Sequence, residues 1–233
     1  MRSSLARRAA LHVATVGLLV LGGLFAPAHA QSALSAAALQ GIWNPVVGAG
    51  AVYEMARGKH GQAREMQIAV VGQEALDGST GYWLQVLTTE PRSGQAVVAE
   101  SLFVKDADRT EVRRMLVQQV GRPPLELPVS SMPNRNRLAG EMQDVRRNAE
   151  RVGTEEITTP AGTFTCEHYR SRDGSADVWV SDKVSPWGLV QMRGRTSLTL
   201  IRLVSGATSK ITGTPQEIDP SMLRRRSGPP ASR

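Results

Sequence analysis

Cys166 and His168 are the residues of this chain best equipped for chemistry. Cys166 is its only cysteine, and His60 is the only other histidine beyond the first thirty residues. Both lie in Thr163-Phe164-Thr165-Cys166-Glu167-His168-Tyr169, a β-branched and aromatic run that predicts a strand. On a strand, side chains two apart share a face, so Cys166 and His168 project together with Phe164, while Glu167 and Tyr169 point the other way. A thiol beside an imidazole is either a nucleophile pair or half of a soft-metal site. The nucleophile reading lacks a third, orienting group on the same strand. The metal reading lacks ligands: a structural zinc takes four, and no Cys-x-x-Cys, His-x-His or His-Glu-x-x-His pattern occurs. The plainer alternative is a half-buried cysteine in a strand, behaving as a small hydrophobe.

Glu74 and Glu155 form a second pair of candidates. Each follows a Val-Gly and precedes a turn. Paired carboxylates suggest a hydrolase, but ordinary hairpin ends explain the two positions. No catalytic residue is assigned, because the chain lacks a Gly-x-Ser-x-Gly elbow, a phosphate loop and a dinucleotide fingerprint. No cofactor is expected. The tryptophans Trp43, Trp83, Trp179 and Trp187 are large apolar groups with one donor each. Trp83, Trp179 and Trp187, with Phe164, are candidates to line an apolar ligand cavity; core packing is the competing reading.

These residues need strands to position them. Short β-prone runs are expected at 51–55, 66–76, 81–89, 95–105, 112–120, 145–157, 163–170, 176–181, 188–193 and 196–204. Turn signals such as Asp77-Gly78, Asp173-Gly174 and Ser185-Pro186 divide them. Turns this close imply antiparallel pairing, since parallel strands need long crossovers. Short helices are expected at 32–40, 138–142 and 219–226. Two meanders, about 66–104 and 147–185, resemble each other: Val71-Gly72-Gln73-Glu74-Ala75-Leu76 aligns with Val152-Gly153-Thr154-Glu155-Glu156-Ile157, and at the same offset Trp83 meets Phe164. Shared hairpin grammar and true duplication both account for this. Several strands carry apolar residues on both faces, as with Tyr82 and Leu84 against Trp83 and Leu87. A sheet with one wet face alternates more cleanly, so something must cover the second face.

The start of the chain reads as an export signal. Arg2, Arg7 and Arg8 precede an apolar run, and Ala28-His29-Ala30 is a cleavage pattern. Residues 1–30 are therefore expected to be removed, leaving a periplasmic or secreted protein with no later transmembrane span. Taking the three leader arginines from a formal charge of +7 leaves +4, and the tail at 222–233 holds Arg224, Arg225, Arg226 and Arg233. The folded part, 31–221, is thus near neutral, and nucleic acid is not expected as a partner. The tail lacks apolar content and is expected to be disordered. Oligomeric state is not set by the sequence.

The stretch from Thr159-Pro160-Ala161-Gly162-Thr163-Phe164 through Cys166-Glu167-His168-Tyr169, Val178-Trp179-Val180-Ser181-Asp182 and Pro186-Trp187-Gly188-Leu189-Val190 resembles uncharacterised exported bacterial proteins. Their sheets are similar to those of the lipoprotein-localisation carriers, the LolA/LolB-like superfamily. The resemblance covers mainly residues 150–204. It implies a mainly β fold: a single long, strongly curved antiparallel sheet, a half-barrel, with a few short helices. It also implies an acyl chain, lipoprotein or other amphipathic molecule held in the concavity. No binding residue is carried over from that superfamily. The alternatives are a non-catalytic envelope interaction module with a filled core, and a Cys166–His168 thiol or metal function.

Overall fold

The computed structural model describes residues 43–57, 63–76, 78–89, 95–106, 109–129 and 149–218. Every element in them is a strand. The first group is β1 (Gly50–Arg57), β2 (Arg64–Leu76), β3 (Ser79–Thr89), β4 (Ala96–Asp106), β5 (Arg109–Gln119) and β6 (Leu125–Glu126). The second is β7 (Ala149–Thr159), β8 (Gly162–Ser171), β9 (Asp177–Val180), β10 (Leu189–Arg193), β11 (Thr196–Val204) and β12 (Gln216–Glu217). The expected leader, the three expected helices and the arginine-rich tail lie outside the described residues.

The twelve strands form one sheet in the order β12-β6-β5-β4-β3-β2-β1-β11-β10-β9-β8-β7. Two antiparallel meanders, β1 to β6 and β7 to β11, meet at a single seam where β1 pairs with β11. Only β12 runs parallel to its neighbour, β6. The sheet is open, with β12 and β7 at its edges, and it is not closed into a barrel. It is nevertheless curved: β7 also lies beside β10 and β11, three and four places away in sheet order. Long antiparallel sheets twist and curl in this way.

The register sorts the side chains onto two faces. Tyr53 lies opposite Met66 and Leu200, Ile68 opposite Val86, Val70 opposite Leu84, Tyr82 opposite Phe103, and Leu198 opposite Met192. This Tyr53 face holds most of the main core, in which Leu198 and Leu200 are fully buried. Burying such a side chain stabilises the fold by about 1.5–3 kcal/mol. The segment before β1 and the loop joining β9 to β10 lie over this face. Trp43 sits edge-on to Tyr82 at 6.1 Å, and the Tyr53 hydroxyl donates to the Leu189 carbonyl at 2.9 Å. The loop is tied back by Asn44, whose backbone N–H donates to the Pro186 carbonyl at 3.0 Å. Gly188 closes it at φ 70°, a left-handed conformation that side chains disfavour.

The opposite face carries Gln85 against Glu100, with Gln118 against Val98 on the next strand pair. All three polar side chains are buried. Their cover is not a helix or a second sheet but the chain's own 205–218 strap. The Lys210 N–H donates to Gln85 Oε1 at 2.7 Å, and the Ser209 hydroxyl donates to Glu100 Oε1 at 2.7 Å. Gln118 takes the Thr212 N–H at 2.8 Å and donates to the Thr212 carbonyl at 2.9 Å. The strap ends as β12 beside β6, where Ile218 packs with Val97, Val117 and Leu127; the register puts Val97 and Val117 on the Tyr53 face. The strap's backbone thus covers the second face over β3 to β5, and Gln85, Glu100 and Gln118 lie beneath it because a strap brings N–H and C=O groups that need partners.

Candidate functional site

The residues singled out in the sequence come together around β7, β8 and β9. The β7–β8 register sets Glu155 opposite Cys166 and Gly153 opposite His168, with an irregularity at Val152. The β8–β9 register sets His168 opposite Trp179 and Arg170 opposite Asp177. All these side chains therefore share one face, the face of Gln85, at the far end of the sheet. There His168 is buried between two carboxylates: Nδ1 lies 2.9 Å from Glu155 Oε1, and Nε2 lies 2.6 Å from Asp177 Oδ1. Its ring stacks on Trp179 with centroids 4.4 Å apart and planes at 15°. The Trp179 N–H donates to the same Glu155 oxygen at 2.7 Å. The Arg193 guanidinium lies 5.0 Å from the centre of the Trp179 ring, a cation–π contact. Arg170 donates to Asp177 Oδ1 at 2.8 Å.

The electrostatics follow from these contacts. Burial pushes the Asp177 carboxyl up, but hydrogen bonds from His168 and Arg170 and their charge outweigh it, so its pKa lies below the usual carboxylate value. Cys166 moves the other way. Burial, with the Glu155 charge adding to it, pushes the thiol up to about 11. The thiol donates to the Phe164 carbonyl at 3.5 Å. A thiol held protonated in this way is a poor nucleophile and a poor metal ligand. Nor does His168 present a free ring nitrogen to Cys166, since carboxylates take both. No group of three His, Cys, Asp or Glu side chains among the described residues is arranged to hold a metal ion. The arrangement fixes charge and aromatic planes; it does not assemble a nucleophile and base.

The orienting groups that the sequence pattern lacks are therefore Glu155 and Asp177, which stand on the neighbouring strands. Asp177 gave no sequence signal of its own; its place one same-face step before Trp179 was the available hint. Glu155 is the repeat partner of Glu74, and the structure gives both the same local task. Glu74 Oε2 accepts the Trp83 N–H at 3.1 Å, and Arg114 lies 5.4 Å from the centre of that ring. Each carboxylate thus holds an indole edge while an arginine covers the ring. In the structure the tryptophan that plays Trp83's part is Trp179, whereas Phe164 lies opposite Ile157.

Of the four expected cavity residues, Phe164, Trp179 and Trp187 belong to the main buried core, and Trp83 does not. Trp83 is half-buried on β3, while Phe164 and Trp179 are buried on β8 and β9, with four strands between Trp83 and Trp179 in the sheet. Trp187 is buried in the loop joining β9 to β10. Half-buried apolar groups packed against the main core include Trp43, Met55, Met66, Tyr82, Val86 and Val112.

No protein-family model matches the chain, and no curated protein does. Among solved structures it is similar to a "putative lipoprotein" of Parabacteroides distasonis, at 17% identity and a TM-score of 0.34. It is also similar to a "putative exported protein with YmcC-like fold" of Bacteroides fragilis, at 11% identity and the same TM-score. Each match covers 70% of this chain and 98% of the other. Similarity at this level transfers neither residues nor a ligand to this chain.

Proposed function

We propose that this is an exported, non-catalytic envelope protein that holds an acyl chain, as a lipid or a lipoprotein anchor, against the Tyr53 face of its curved sheet. The observation that carries the reading is the set of large apolar side chains left half-buried there: Trp43, Met55, Met66, Tyr82 and Val86. They flank a core that is otherwise sealed. Methionine suits such a surface because its unbranched, polarisable chain adapts to irregular apolar ligands. The export signal at the start of the sequence and the resemblance to lipoprotein carriers support the same reading.

Purified protein extracted with organic solvent is expected to release fatty-acyl species detectable by mass spectrometry. An environment-sensitive acyl probe is expected to bind saturably, and Met66→Glu to weaken it about tenfold by putting a charge into the apolar surface. Protein that extracts empty and ignores the probe overturns the proposal. A second reading, an interaction module with a filled core, is favoured by the sealed centre, where Tyr53, Leu198 and Leu200 are fully buried and the Tyr53 hydroxyl is satisfied internally. A specific crosslinked envelope partner with no bound acyl species supports that one.

A further inference from the structure

We propose that Glu155, His168 and Asp177 form a protonation-controlled clamp that fastens the edge strand β7 to β8 and β9. The argument rests on hydrogen-bond inventory. A neutral imidazole has one donor nitrogen and one acceptor nitrogen; an imidazolium has two donors. Carboxylates accept only. With Glu155 on Nδ1 at 2.9 Å and Asp177 on Nε2 at 2.6 Å, both contacts are hydrogen bonds only when the ring carries two protons. Removing one proton turns one contact into two facing lone pairs in a buried place.

The surroundings decide which contact opens. Asp177 is also held by Arg170 at 2.8 Å and makes the shorter bond to the ring. The proton therefore stays on Nε2. Glu155, whose side chain is 46% exposed, has water to turn toward. As it turns it leaves the Trp179 N–H too, so β7 loses two ties around the irregularity at Val152. The charged and titratable groups facing His168 are Glu155 from β7, Cys166 and Arg170 from β8, Asp177 from β9 and Arg193 from β10 across the Trp179 ring. Among the described residues His168 is the only histidine. β7 is an edge of the sheet, so a change in its fastening alters a strand that, among the described residues, pairs in a ladder with β8 alone.

The test follows β7 amide hydrogen exchange across pH 5–9 in the full chain, with β3 amides as the reference for the intrinsic pH effect. Trp179 supplies a second readout, because a stacked imidazolium quenches an indole more than a neutral imidazole does. Wild type is expected to show a one-proton rise in fluorescence, and at the same midpoint about tenfold faster exchange near Val152 relative to β3, the scale of losing a hydrogen bond to a charged group. His168→Gln is expected to abolish both steps. Glu155→Gln, which keeps an acceptor for Trp179, is expected to keep the fluorescence step and lose the exchange step. The proposal is overturned by a fluorescence step with no change in β7 exchange, by no step at all, or by an exchange step that survives in His168→Gln.

Discussion

Cys166 shows how one residue's surroundings decide its chemistry. The thiol is 1% exposed, and burial with the nearby Glu155 charge pushes its pKa from 9.0 to about 11. Folding therefore favours the protonated form. Below the ordinary thiol value that preference contributes its full stability, and the contribution is lost as pH rises from about 9 toward about 11. Burial raises the Tyr53 hydroxyl as well, which extends the same alkaline loss. Native protein at pH 8 is expected to leave a thiol-specific disulfide reagent unreacted, and denatured protein to react with it fully. Cys166→Ala is expected to flatten the fall in stability between pH 9 and 11. Rapid native labelling would show that the thiol is reachable and ionised, and would revive it as a nucleophile.

At the scale of elements, the strap is the most distinctive feature. It covers the buried polar side chains Gln85, Glu100 and Gln118 and carries Ile218 onto Val97, Val117 and Leu127, so its removal strands polar groups and uncovers that small apolar cluster. Gln118 makes the tightest hold, with its amide bonded to both backbone groups of Thr212 and to the Arg122 carbonyl at 2.7 Å. Gln118→Ala is expected to cost about 1–3 kcal/mol, the scale of leaving buried groups unpaired. Limited proteolysis is the sharper measurement: cleavage within 205–215 should accelerate while β1 to β5 stay protected. If the strap stays uncut, other contacts hold it. The main strands were legible in the sequence because side-chain alternation and turn residues are local signals. The run at 196–204 became β11 without a shift, and that at 66–76 became β2, two residues longer at its start. The strap and the two-residue strands β6 and β12 were not legible, since their shape is set by distant partners. By pattern alone Gln85, Glu100 and Gln118 do not differ from ordinary polar strand positions; the strap's backbone gives them their role. The His168 site was half legible for the same reason. Spacing along β8 put Cys166 and His168 together, but the carboxylates come from strands whose register no local pattern reveals.

For the whole molecule, the topology concentrates risk at one seam. The two meanders are each built from neighbouring strands, and among the described residues they meet at the ladder of β1 with β11, which pairs Tyr53 with Leu200 and Met55 with Leu198. Those partners are well over a hundred residues apart in the chain, so the seam closes only after a large loop-entropy cost. On the other side of β1, Gly50 lets it approach β2 closer than a side chain permits, since a Cβ there would lie 2.3 Å from the Ile68 carbonyl oxygen. Leu200 is fully buried at the seam, and Leu200→Ala is expected to cost about 2–5 kcal/mol, the usual price of a large-to-small core change. Because both meanders depend on the seam, that loss should lower the unfolding midpoint of the β3 amides and the β9 amides together. A smaller truncation away from the seam, Val117→Ala on β5, removes two carbons rather than about three and touches the smaller cluster of Val97 and Leu127. Unfolding of Leu200→Ala in two separate steps would show instead that each meander stands alone, and that the sheet is two units laid edge to edge.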